Sequence, residues 1–175
     1  ICSFWADKNG NADEEINRII YRNKLRYRDS GYNLFHFDTG SGWPDNNYLA
    51  VAKGKTDIDI LRWRGTNGTN PGIDNDALIA KVEEWQRRYD LVLWGCGADW
   101  MRIFFIHEAP EYLGGTRSAK WYEQSRLWDT RTPKFRKFAE EVIEFCPDLV
   151  LQVYKNKTAL IKEMERVNGV YFWWD

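Results

Sequence analysis

The chain has 175 residues, 26 acidic against 25 basic side chains and a formal net charge of −1. That length fits one domain, 1–175, burying roughly two-thirds of its unfolded surface in a single core, and so balanced a charge creates no field that would draw nucleic acid or an anionic membrane. No apolar run approaches the ~20 residues of a membrane-spanning helix, and no signal-peptide pattern opens the chain.

Residues 13–28 carry Ile16, Ile19, Ile20 and Tyr27 at helical spacing after Asn11 and Asp13, which can cap a helix. The other face holds Arg18, Arg22, Lys24, Arg26 and Arg28, read as a solvated face in a chain of neutral total charge. Residues 31–37 and 48–52 are aromatic or β-branched runs bounded by Gly, Pro and Asn, which predicts two strands, and the loop between them contains Gly40, Gly42 and Pro44. Residues 58–63 begin in Asp/Ile alternation and then change phase at Leu61 and Trp63, which predicts a third strand with a bulge or a doubly buried end.

After the turn cluster 65–70, Asp74 is placed to cap a helix whose stripe is Leu78, Val82, Trp85 and Tyr89. Asp76 in its first turn and Arg87 and Arg88 in its last complement the macrodipole. Residues 91–94 and 100–106 read as two strands joined by the glycine-bearing loop 95–99. The segment 110–133 interleaves Tyr112, Trp121, Tyr122 and Trp128 with Arg117, Lys120, Arg126 and Arg131. Such a stretch is a binding loop that stacks on bases or sugars, or an amphipathic helix near 118–128 packed on a sheet edge. Thr132 caps and Pro133 opens a helix with Phe135, Phe138, Val142, Phe145 and Cys146 on one face until Pro147 stops it. Thr158 caps a last helix with Leu160, Ile161, Met164 and Val167 inward and Gly169 at its end, and 170–174 returns as a strand. This order lacks strict β-α alternation. It predicts an α+β domain with a mixed or mainly antiparallel sheet of about six strands covered by about four helices.

Ten tryptophans are the compositional oddity. Each can bury ~150–250 Å², so a few would suffice for a core of this size. Because Trp is rarely fully buried and its N–H needs a partner, most are read as bulky core residues with wet edges and the remainder as lining a groove or interface.

Reactive residue types are few. There are two histidines, and His107-Glu108 lacks the second histidine of a metalloprotease motif, so no metal site is expected. A Cys146–His107 dyad is disfavoured because Cys146 falls on the apolar stripe of its helix, where thiols are inert. Cys2, Cys96 and Cys146 are odd in number and share no CxxC spacing, so all three are expected as free thiols. That implies a reducing, cytoplasmic setting, conditional on whatever preceded Ile1. The turn 65–70 is rich in backbone N–H groups but lacks the Gly-Lys-Ser/Thr ending of a phosphate-binding loop, and no cofactor is expected. Polar groups at element ends are cheap to expose and easy to aim. The ligand-binding candidates are therefore Thr66, Asn67, Asn70, Asp99, Trp100, Trp174 and Asp175, with the competing reading that the asparagines only satisfy their own turn. Asp148, after Cys146-Pro147, is a further carboxylate at an element end.

Several stations occur in order: 59–62, the turn 65–68 with Asn70, Trp85, Asp99-Trp100, the 138–148 helix end with Cys146-Pro147-Asp148, and the closing Trp173-Trp174-Asp175. By these the chain resembles the bacterial family known as domain of unknown function 4253 over roughly 45–175, leaving 1–44 as an N-terminal helix and first strand. Where family members often carry Tyr-Asp or Tyr-Gly after the turn asparagine, this chain has Pro71-Gly72. The resemblance implies no established activity. Two functions are consistent with the residues: a non-catalytic protein that binds another protein, including an immunity-like role, or a small-ligand binder or enzyme using the Asp and Asn groups of the 65–70 turn, Asp99 and Asp175. Whether the chain is an enzyme is left open. A protein partner or a small ligand is expected, and nucleic acid is disfavoured.

Overall fold

The computed structural model describes residues 2–5, 12–38, 47–54, 56–68, 72–89, 91–105, 133–167 and 169–174. In chain order these form β1 (Cys2–Trp5), α1 (Ala12–Asp29), β2 (Tyr32–Asp38), β3 (Asn47–Lys53), α2 (Asp57–Arg64), α3 (Asn75–Arg88), β4 (Leu91–Cys96), β5 (Trp100–Phe105), α4 (Pro133–Phe145), a π-helix (Leu149–Tyr154), α5 (Lys157–Val167) and β6 (Gly169–Trp173). The fold is α+β.

One mixed sheet runs in the order β1-β3-β2-β4-β5-β6. Neighbours pair antiparallel except β2 and β4, which run parallel at the centre through the bridge His36–Gly95. Gly95 permits this approach, since a Cβ there would stand 2.5 Å from the His36 carbonyl oxygen. Strand alternation sends Leu34, Leu49, Val92, Trp94 and Phe104 to one face, where Ile16 and Ile20 of α1 cover them. The opposite face carries the main core, in which Phe35, Met101, Ile103 and Phe172 meet Leu78, Val82 and Trp85 of α3, Phe138 and Val142 of α4, and Leu160 and Met164 of α5.

The structure corrects three element assignments. Residues 58–63 are helical, not a strand: Thr56 caps α2 with a capping box in which its hydroxyl accepts from the Asp59 N–H and the Asp59 carboxylate accepts from the Thr56 N–H. The short strand β1, paired along β3 from Cys2–Val51 to Trp5–Tyr48, was not anticipated. Five α-helices and a π-helix lie among the described residues, more than the expected four. At finer grain, the cap of α5 is Asn156, whose Oδ1 accepts from the Ala159 N–H, and not Thr158. Tyr27 is exposed instead of inward. Asn11 and the 40–44 loop lie outside the described residues, as does 110–131 with its aromatic and basic side chains.

Lys24 also departs from expectation. It is buried, not solvated. Its Nζ donates to the Leu34 carbonyl at 3.2 Å and stands 3.4 Å from Asp57 Oδ1. Asp57 is equally buried and accepts from Arg28, Gln86 and the Leu93 backbone N–H. Leu34 and Leu93 each lie two residues before the β2–β4 bridge. The Lys24–Asp57 pair thus satisfies one carbonyl of β2 and one amide of β4 beside that bridge.

Candidate functional site

Three chain segments meet at the carboxyl ends of β2 and β4, the position where open sheets with parallel strands place ligands. The first is the turn after α2. Gly65 ends the helix in the left-handed region at φ 69° and donates to the Leu61 carbonyl, an ordinary glycine C-cap. Asn75 then holds the turn from α3, its Nδ2 donating to the carbonyls of Leu61 and Thr66 at 3.0 and 2.7 Å.

The second segment is the β4–β5 loop. Thr66, fully buried, donates its hydroxyl to the Gly97 carbonyl at 2.7 Å, and the Asn67 backbone N–H donates to the Ala98 carbonyl at 2.9 Å. The third is the end of β6, where the Trp174 backbone N–H donates to the Asp99 carbonyl at 3.0 Å. The Trp174 indole is buried against Gly68, at which a Cβ would come within 2.9 Å of the ring.

Thr66, Asn67, Asp99, Trp100 and Trp174 are therefore brought together by backbone bonds, while Asn70 and Asp175 lie outside the described residues. Their side chains do not all face one space. Trp100 stacks on Tyr171 with ring centroids 5.6 Å apart, whereas Trp174 stacks on Phe172 at 5.8 Å. Tyr171 and Phe172 are successive strand residues, so the two indoles stand on opposite faces of the sheet. Asn67 Nδ2 donates to the Gly65 carbonyl within its own turn, and Asp99 is exposed.

Sequence reading missed Asp38 and Arg64. The Trp100 indole N–H donates to Asp38 Oδ2, and Arg64 Nη2 lies 3.7 Å from Asp38 Oδ1 and 3.4 Å from the Asp38 carbonyl. Gly97 makes this possible, because a Cβ at Gly97 would collide with Trp100 Nε1 and stand 2.8 Å from Asp38 Oδ1. Asp38 Oδ1, Arg64 Nε and Trp174 Nε1 are buried atoms without a hydrogen-bond partner among the described residues. The signal that could have found the first two is Asp38 at the end of a strand and Arg64 at the end of a helix, both adjoining glycine-rich turns.

The described thiols are poor nucleophiles. Burial pushes the Cys96 thiol up to about 12 against smaller opposing effects of Thr66, Arg64 and Lys24, and pushes Cys146 up to about 11. Both are free and buried. Cys2's side chain and His107 lie outside the described residues, and so does any Cys146–His107 contact. Among the described residues no group of three His, Cys, Asp or Glu side chains could hold a metal, and no helix is long and apolar enough to cross a membrane.

A second surface feature lies away from this knot. Pro147 follows α4, and the chain then winds into a π-helix that closes at Lys155, a non-glycine residue at φ 64°. Leu149, Val150 and Tyr154 anchor it to the core, which leaves Leu151 and Val153 outward at 75 % and 47 % exposure.

These features define a mixed-sheet α+β protein with a knotted site at the ends of its parallel strands and an apolar ridge beside α5. The chain belongs to the family described as Domain of unknown function (DUF4253), whose model matches residues 48–112 and 126–175. No curated protein and no solved structure matches it.

Proposed function

We propose that this is a non-catalytic binding protein that docks another protein through the ridge of the π-helix, an immunity-like role being one form of this reading and a bacterial cytoplasm its setting. The observation that carries it is the outward placement of Leu151 and Val153 on a π-helix that Leu149, Val150 and Tyr154 fix to the core. π-helical turns are rare and recur at functional sites. Apolar side chains held out to water on an element anchored to the core are the kind of feature interfaces are built from. Support also comes from the sealed thiols of Cys96 and Cys146, which leave little nucleophilic chemistry among the described residues. A photoreactive amino acid placed at position 151 is expected to capture one discrete partner in cells that make the protein, while the same group at the exposed position 83 captures none. Equal, diffuse labelling at both positions would sink the reading.

A second reading is favoured by one observation, that Asp38 Oδ1 and Arg64 Nε beside the knot have no hydrogen-bond partner among the described residues. In it a small-ligand site lies on the Trp100 face of the knot, where Asp38 and Arg64 supply an acceptor and a donor beside the indole. A metabolite mixture that raises the melting temperature of the wild type but not of Arg64→Gln would support it. No shift with any mixture would remove it.

A further inference from the structure

Next to the ridge lies a pocket of about 80 Å³ lined by Arg102, Tyr154, Glu163, Arg166 and Tyr171 over an apolar floor that includes Leu160, Met164 and Val170. Tyr154 is the last residue of the π-helix, so the pocket and the ridge share a wall. Its size decides what it can take. Pockets for free small molecules run to ~300–1,000 Å³, and this one is several times too small, but it has room for the end of one side chain.

Its charge decides which side chain. Among the described residues that line it are two guanidinium groups and one carboxylate. Arg166 gives Nε and Nη2 to Glu163 at 2.8 and 2.6 Å, and that hydrogen bond holds the Glu163 carboxyl below its usual range, so the clamp stays ionised. A guanidinium has five N–H donors. With Nε and one Nη2 hydrogen committed, Nη1 and the second Nη2 hydrogen of Arg166 have no partner among the described residues. Glu163 therefore fixes the orientation of the fork without consuming it, which lowers the ordering cost of a second carboxylate. Arg102, its guanidinium 4.9 Å over the Phe104 ring, adds a second positive charge, and that charge acts on both Glu163 and Tyr154.

We infer that this pocket is a carboxylate subsite of the docking surface, which receives an acidic side chain or the terminal carboxylate of a partner protein while apolar residues of that partner pack on the exposed Leu151 and Val153. The inference rests on the docking reading given above. It specifies the partner's chemistry: an acidic group adjoining an apolar one in an exposed segment.

Selection of phage-displayed random peptides on the immobilised full chain tests it. The expected result is enrichment of peptides with an acidic residue beside an apolar one. Arg166→Gln weakens their binding by up to about fivefold, the worth of a solvent-exposed ion pair, Arg166→Lys restores part of it, and Leu151→Asp abolishes it. Peptides that need Leu151 but show no acidic preference and ignore Arg166→Gln overturn the carboxylate subsite and leave the ridge standing. Acidic peptides that need Arg166 but tolerate Leu151→Asp overturn the ridge instead, and the subsite as part of it. Failure to select any peptide overturns both. Position 166 is exposed, so circular dichroism and the melting temperature of the variants are expected to match the wild type.

Discussion

Gly97 shows how one missing atom can hold a site together. The Trp100 indole crosses directly over its Cα to reach Asp38, with His36 on one side at 5.3 Å and Tyr171 stacked on the other at 5.6 Å. The ring has nowhere to retreat. Gly97→Ala is expected to cost about 2–4 kcal/mol through displaced packing and the lost hydrogen bond, read from urea unfolding, whereas Asp99→Ala, exposed two positions on, changes stability by less than ~0.5 kcal/mol. The cysteines give a pH signature. Their folded pKa values, about 12 for Cys96 and about 11 for Cys146, lie above the ordinary 9.0, so between about pH 9 and 12 the native state keeps protons that the unfolded chain has released. Stability contributed by these thiols is complete below about pH 9 and declines as pH rises through that window. Lys24, lowered chiefly by burial, titrates in the opposite sense. The readout is therefore the difference between wild type and Cys96→Ala/Cys146→Ala, in which the alkaline decline becomes shallower. Iodoacetamide at about pH 8 is expected to label neither residue until the protein is unfolded.

At the scale of elements, α4 is the strongest test of packing. Phe138 is fully buried and meets Trp85, Tyr89 and Phe105 edge-on, and Val142 is buried beside it, while Glu140 points out to Lys157. Phe138→Ala is expected to lose ~3–5 kcal/mol and Val142→Ala ~1–3 kcal/mol. Glu140→Ala should lose less than ~0.5 kcal/mol. Equal urea midpoints for all three would show the face to be wrong. The stripes of α3, α4 and α5 were legible because each buries one face at helical period, although only the Asp74 cap of α3 was placed correctly and Thr132 lies outside the described residues. α2 was not legible by periodicity, since Asp57 and Asp59 mimic the polar positions of a strand. One is in fact buried in an ion pair, and the other closes the capping box. The signal was present as Thr56 followed three residues later by Asp59, and the alternation was the wrong feature to weigh. Lys24 was misread for a related reason, because a charge on a helix reads as solvated unless its distant partner is known, and Asp57 lies 33 positions away. For the candidate site, sequence reading found turns that do converge. It could not foresee that the register of β5 on β6 would send Trp100 and Trp174 to opposite faces, nor that Asp38 and Arg64 would join the group.

For the whole molecule, acid sensitivity should centre on the joint between α3 and α4. Burial works to raise the Glu141 carboxyl, but hydrogen bonds from Arg88, Tyr89 and Trp85 outweigh it and hold the group below 4.5. A depressed carboxylate contributes stability above its unfolded pKa and loses it as pH falls through the folded value. Stability is thus expected to drop below about pH 4.5 in the wild type, and the drop should be shallower in Glu141→Gln, measured by thermal unfolding across that range.

The sheet divides into β1-β3-β2 and β4-β5-β6, joined by a single ladder bridge beside which the Lys24–Asp57 pair binds one backbone group of each half. Such a seam separates cooperative units. Native-state amide hydrogen exchange is expected to resolve two opening free energies, one per half, in place of a single global value. Asp57→Ala, which strands a buried ammonium, should merge the fast-exchanging half with the solvent-exposed limit while the other half keeps its protection. Under load or proteolysis the molecule would then part along this line, as two hairpin-built halves that come unzipped.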